Sequence, residues 1–165
     1  MKGKLLILAI GAAAVSCTST PEEPVLETIT EVVQERPKEV ETSFSPAFKH
    51  DEYLVDNSKG MILLCHRAGW SRGEYLEIAP KLNELGFSCI AIDQRSGLTV
   101  NDVENIIASA YDQDTMKYEY AVPDIEFGIE RAYSKNGDQP IILWGSSYSS
   151  TLSILLGATN DKVKA

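Results

Sequence analysis

Ile141-Ile142-Leu143-Trp144-Gly145-Ser146-Ser147-Tyr148-Ser149 joins an apolar run of strand length to a serine-rich turn, and the apolar Leu152, Leu155 and Leu156 follow on a helical pattern. A strand that passes abruptly into a helix needs small residues where the two backbones cross. Gly145 and Ser149 stand at those places, two residues either side of Ser147, so a larger side chain at 145 or 149 would clash. The pattern is G-x-S-x-G with serine in the last position. Such a turn presents the Ser147 hydroxyl at a helix N-terminus, where the amide of Tyr148 and the helix dipole favour negative charge. A serine-rich helix cap or a phosphate-binding turn would use the same residue types, so this stretch does not decide the chemistry by itself.

Working outward, Gly60-Met61-Ile62-Leu63-Leu64-Cys65 and Phe87-Ser88-Cys89-Ile90-Ala91-Ile92 are continuous apolar runs, as expected of strands covered on both sheet faces. Ser71 and Glu74 have the spacing of a capping box, which predicts a helix carrying Tyr75, Ile78, Ala79, Leu82 and Leu85 and ending at a left-handed Gly86. Residues 98–122 are polar and aromatic, with one helical run predicted around Val103 to Tyr111. A further helix starts at Pro123, turns Ile125, Ile129, Ala132 and Tyr133 inward, and closes at Asn136-Gly137. Strands alternating with helices in this order predict an α/β protein with a parallel sheet and right-handed crossovers.

Four stretches together resemble the α/β-hydrolase superfamily, particularly its dienelactone-hydrolase-like and serine-aminopeptidase-like branches: "LLCHRAGWSRGEY", "LNELGFSCIAIDQRSG", "VPDIEFGIERAY" and "IILWGSSYSS". They cover most of residues 53–160, and their order and spacing are more specific than any one motif. The resemblance implies a three-layer α/β-hydrolase fold and a serine hydrolase acting on an ester or similar acyl bond. It makes Ser147 the nucleophile and the amides of Ala68 and Tyr148 the oxyanion hole. Arg67 replaces the family's usual glycine, which leaves the Arg67 amide as the alternative to that of Ala68. Asp93 and Arg95 resemble the family's D-x-R loop, where the two form an ion pair that shapes the pocket. His66 is structural in the family, and His50, beside the linker, is expected to be exposed.

The family orders its triad serine, then acid, then histidine on loops after later strands. Asp161 comes too early to be that acid, and no later histidine occurs in the sequence. The expectation is therefore a partial hydrolase domain over 48–165 with its C-terminal strands missing, Ile141–Trp144 as an open apolar edge, and no activity without a complementing C-terminal half. The alternative is a non-catalytic hydrolase-like protein that binds a ligand or partner chain.

The N-terminus sets the location. Lys2 and Lys4 precede the apolar run Leu5–Ile10 and small residues up to Cys17, the pattern of an export signal too short to span a bilayer. Ala14-Val15-Ser16-Cys17 resembles the lipobox of bacterial lipoproteins, which implies a signal peptide at 1–16, a lipid on Cys17 and a place in the cell envelope. Thr18 after the cysteine favours the outer membrane over the inner one in double-membraned bacteria. Residues 17–47 read as an acidic tether, rich in Thr, Pro and Glu with seven glutamates between 22 and 41. The formal charge is −9, and removing the signal makes it two units more negative. That excess argues against nucleic acid and against a polybasic hold on lipid, leaving a small acyl substrate and the membrane as the expected partners. Cys65 and Cys89 read as buried thiols, and no metal-ligand spacing or cofactor motif is present.

Overall fold

The computed structural model describes residues 48–164. The signal segment 1–16, Cys17 and the linker 17–47 lie outside the described residues, as does Ala165. Four strands, β1 (His50–Tyr53), β2 (Met61–Cys65), β3 (Ser88–Ile92) and β4 (Ile142–Gly145), make one sheet in the order β1-β3-β2-β4. β2 pairs in parallel with β3 and with β4, while β1 is antiparallel to β3. The parallel strands fall where the apolar runs predict them. β1 is an addition that the sequence does not announce, because His-Asp-Glu-Tyr carries no apolar signal; Glu52 holds this edge through Arg131 and Lys135, each at 2.9 Å. His50 is correspondingly half-buried, 3.4 Å from Glu52, and not exposed as expected.

The two-residue alternation of β2 and β3 sorts their side chains into two cores. Met61, Leu63, Cys65, Ile90 and Ile92 pack against helices α2 (Val122–Lys135) and α3 (Tyr148–Gly157) through Ile125, Ile129, Leu152 and Leu156. Ile62, Leu64, Cys89 and Ala91 face Tyr75, Ala79 and Leu82 on the other side, the last two carried by helix α1 (Ile78–Glu84). The result is the expected three-layer arrangement of helices around a mostly parallel sheet. Both described cysteines are free and buried, and burial pushes the Cys89 thiol up to about 11 and the Cys65 thiol higher still. Among the described residues no helix is long and apolar enough to cross a membrane.

Two helices differ from expectation. The segment after Ser71 is a short 3-10 turn, Arg72–Tyr75, and the α-helix starts only at Ile78. Pro80 is the reason: it has no N–H to give the carbonyl four residues back, so it is accommodated in the first turn of α1 and not inside a longer helix. The capping box is half formed, because Ser71 accepts from the Gly73 amide while the Glu74 carboxylate turns to the Arg67 amide. The end of α1 is as expected, with Gly86 at φ 90° and its amide and that of Phe87 returning to Asn83 and Leu82. No α-helix forms over Val103 to Tyr111. Asn105, 2 % exposed, spends its side chain amide on the carbonyls of Gln94 and Trp70 and accepts from the Ala108 amide, which pins an irregular excursion and leaves only the 3-10 turn Ala108–Ala110.

Candidate active site

The strand-to-helix turn at Ser147 is sharp. Ser147 has φ 55° and ψ −121°, the φ > 0 half of the map that side chains with a Cβ rarely enter. A backbone of this kind costs about 1–3 kcal/mol and persists only where the surrounding structure enforces it. The enforcement comes from Gly145: a Cβ there would collide with the carbonyl group of Ser149, so only glycine lets α3 fold back so tightly on β4. Ser147 is exposed, at the entry of α3. Tyr148 is the first residue of α3, so its amide has no acceptor within the helix.

The loop after β2 lies against this turn. The Ser146 amide donates to the Cys65 carbonyl at 3.0 Å, and the Ser149 hydroxyl donates to the His66 carbonyl at 2.6 Å. The Arg67 amide donates to Glu74 Oε2 at 2.9 Å, and its guanidinium stacks on Trp70, 4.0 Å from the ring centre. The Arg67 amide is thus spent on a carboxylate.

His66 is fully buried. Its Nε2 accepts from the Gln94 amide at 3.0 Å, and its Nδ1 lies 2.8 Å from the Arg67 carbonyl, which fixes the neutral tautomer with the proton on Nδ1. Burial holds its pKa below the ordinary value. An imidazole whose acceptor nitrogen is already occupied cannot take a proton from Ser147. His50 is no substitute, because β1 and β4 are the opposite edges of the sheet. Asp161 lies in the exposed turn after α3. Asp93 and Arg95 do not pair with each other, contrary to the D-x-R expectation. Asp93 accepts from Arg72 Nη1 at 2.7 Å, and Arg95 grips Asp124 with two bonds of 2.9 Å. Asp93 and Arg95 are held apart by these different partners, not by the strand alternation, which would put i and i+2 on one face.

Sequence reasoning missed Gln94, which is fully buried and whose Nε2 donates to the Tyr148 phenol at 2.9 Å and to the Ser149 hydroxyl at 3.0 Å. The one signal for it was Ser149 itself, a polar group in a place otherwise reserved for glycine. Tyr118 stacks on Tyr148, 4.7 Å between centres. Among the described residues no group of three His, Cys, Asp or Glu is placed to hold a metal ion.

A serine with positive φ on a strand-to-helix turn, within three layers built on a mostly parallel sheet, fits the α/β-hydrolase class. The chain belongs to the serine aminopeptidase family, S33, whose profile matches residues 56–165. Among solved structures it is similar to a monoacylglycerol lipase of Paleococcus ferrophilus, with a TM-score of 0.51 and 20% identity over 71% of this chain. A protein assigned as a non-heme bromoperoxidase of Mycobacterium tuberculosis gives a TM-score of 0.49 and 18% identity over the same 71% share. The chain spans 40% of the length of the first and 38% of the second. No curated protein matches it.

Proposed function

We propose that the chain supplies the nucleophile and oxyanion hole of a serine hydrolase acting on an ester or similar acyl bond. Ser147 Oγ forms the new bond to the acyl carbon, the carbonyl pair moves onto oxygen between the Ala68 and Tyr148 amides, and the serine proton passes to a general base. Collapse expels the alcohol or amine as the proton returns to it, and water then cleaves the acyl-enzyme in the same way. The observation that carries this reading is the Ser147 backbone at φ 55°, which a mere cap would not need. The two described histidines are excluded as bases by their positions, so the base and its acid come from a segment or chain that packs beyond β4. A base contributes about 10²–10⁴-fold, hence the 165-residue chain alone has no appreciable turnover. Assay on activated aryl esters tests this. Turnover lost in Ser147→Ala yet kept in His66→Ala and His50→Ala would overturn it.

The same proposal anchors the domain in the cell envelope through a lipid on Cys17, with the outer membrane as destination in a double-membraned cell and residues 17–47 as tether. Fatty-acid labelling absent from Cys17→Ala supports the anchor; equal incorporation into both proteins removes it. The position of His66 also favours a second reading, a hydrolase-like lipoprotein that binds without turning over. Full-strength ligand binding with no covalent chemistry at Ser147, in the presence of the segment that completes the sheet, would select it.

A further inference from the structure

We propose that Gln94 and Ser149 are positioning residues for the oxyanion hole, closing a buried hydrogen-bonded circuit that sets the Ala68 amide against the Tyr148 amide. The inference rests on the reading of Ser147 as nucleophile.

The two amides belong to different segments, one after β2 and one after β4. A pair of donors stabilises a developing oxyanion only when both point at one place, about 2.7–3.1 Å away. Beyond the ladder that pairs Cys65 with Gly145, the main chain adds one tie near the site, from the Ser146 amide to the Cys65 carbonyl. Past Cys65, none of these main-chain bonds joins the loop to the turn. The Ser149 hydroxyl supplies that link, donating at 2.6 Å to the carbonyl of His66, two residues before Ala68. A hydroxyl has one proton, and Ser149 commits it there, so the lone pairs face Gln94. Gln94 Nε2 gives one hydrogen to Ser149 at 3.0 Å and the other to the Tyr148 phenol at 2.9 Å, while the Gln94 main-chain amide holds His66 Nε2 at 3.0 Å. The path runs from the His66 ring through Gln94 and Ser149 back to the His66 carbonyl, and it touches the ends of β2, β3 and β4. His66, Gln94 and Ser149 are 0 % exposed and Tyr148 is 8 %. Away from water such bonds are stronger, and breaking one leaves a buried polar group without a partner.

Position 149 makes the idea sharp. The elbow pattern calls for glycine there, so Ser149→Gly restores the motif and, on sterics alone, costs nothing. The circuit predicts the opposite. Two measurements on the 165-residue chain test it, and neither needs a general base. Phenylboronic acid forms a tetrahedral adduct with a serine hydroxyl, one oxygen seated in the oxyanion hole, and boron NMR reads the change from trigonal to tetrahedral. Amide hydrogen exchange reads the loop directly. In Ser149→Gly, Ser149→Ala and Gln94→Met, the adduct weakens roughly tenfold, a fraction of the loss on removing an oxyanion donor outright. Exchange at Ala68 and Gly69 rises roughly threefold to tenfold, the scale of one net hydrogen bond, with β2 and β3 unchanged. Adduct affinity and exchange at the wild-type level in all three variants would overturn the proposal. If the wild type forms no adduct, or Ser147→Ala forms the same one, the nucleophile reading fails. Exchange then decides the circuit alone, sustained by faster exchange at 68–69 and overturned by none.

Discussion

β2 and β4 run side by side in register, Ile62 against Ile142 and Leu64 against Trp144, yet they have different surroundings. Every residue of β2 is buried. In β4, Ile142 is 38 % and Trp144 42 % exposed, because α1 covers the face above β2 and β3 and does not extend over β4. Among the described residues the outer edge of β4 carries one parallel bridge, Ile141 to Val163, secured by bonds of 2.8 and 2.7 Å. On α3, Ile154 and Leu155 are likewise exposed, at 76 % and 51 %. Among the described residues, the half of the domain around β2 and β3 is thus a closed core, and the half that carries Ser147 has an uncovered face. On the proposed reading, the general base for Ser147 would come from whatever covers that face.

The largest expected effect lies in the closed half. Leu63→Ala, at a site with no exposure, costs about 2–5 kcal/mol in denaturant unfolding. At the junction of the halves, Gly145→Ala drives a methyl against the Ser149 carbonyl and costs about 1–3 kcal/mol as overpacking, with the turn at Ser147 displaced. The His66 ring gives a pH dependence. Its folded pKa lies below the ordinary 6.5, so the unfolded chain binds the proton first and acid favours unfolding. That stability is complete above 6.5 and is lost as pH falls toward the folded value, with a slope of at most about 1.4 kcal/mol per pH unit. His66→Gln removes the slope in a titration of unfolding free energy between pH 7 and 5, ~2 units chosen to bracket this group. The smallest effect is on the open face, where Trp144→Thr changes stability by no more than about 0.5 kcal/mol. A loss as large as that of Leu63→Ala would mean that the face is covered after all.

The same contrast governs what the sequence makes legible. Strands β2 and β3 are readable because both-face burial demands unbroken apolar runs, and β4 because it carries such a run although one of its faces is exposed here. β1 is not, since its attachment depends on Glu52 meeting Arg131, some eighty positions along the chain. The helical spacing of Val103, Ile106 and Ile107 misleads because Asn105 binds three segments at once and overrides it. At the site, Ser147 follows from steric logic that is local to the turn. Gln94 does not, because its partners come from two other strand ends, and the pairing of Asp93 with Arg72 and Arg95 with Asp124 is set by tertiary packing in the same way.

Peptide mapping by mass spectrometry after exposure to a fluorophosphonate probe tests both Ser147 as the proposed nucleophile and the proposed supply of its base from beyond β4. The chain is treated alone and together with a polypeptide carrying the strands, acid loop and histidine loop that follow the elbow helix in this family. The expected result is no adduct on the chain alone, and an adduct confined to Ser147, absent from Ser147→Ala, once the second polypeptide is present. An adduct on another residue, or full labelling of Ser147 in the chain alone that survives His66→Gln, would contradict it.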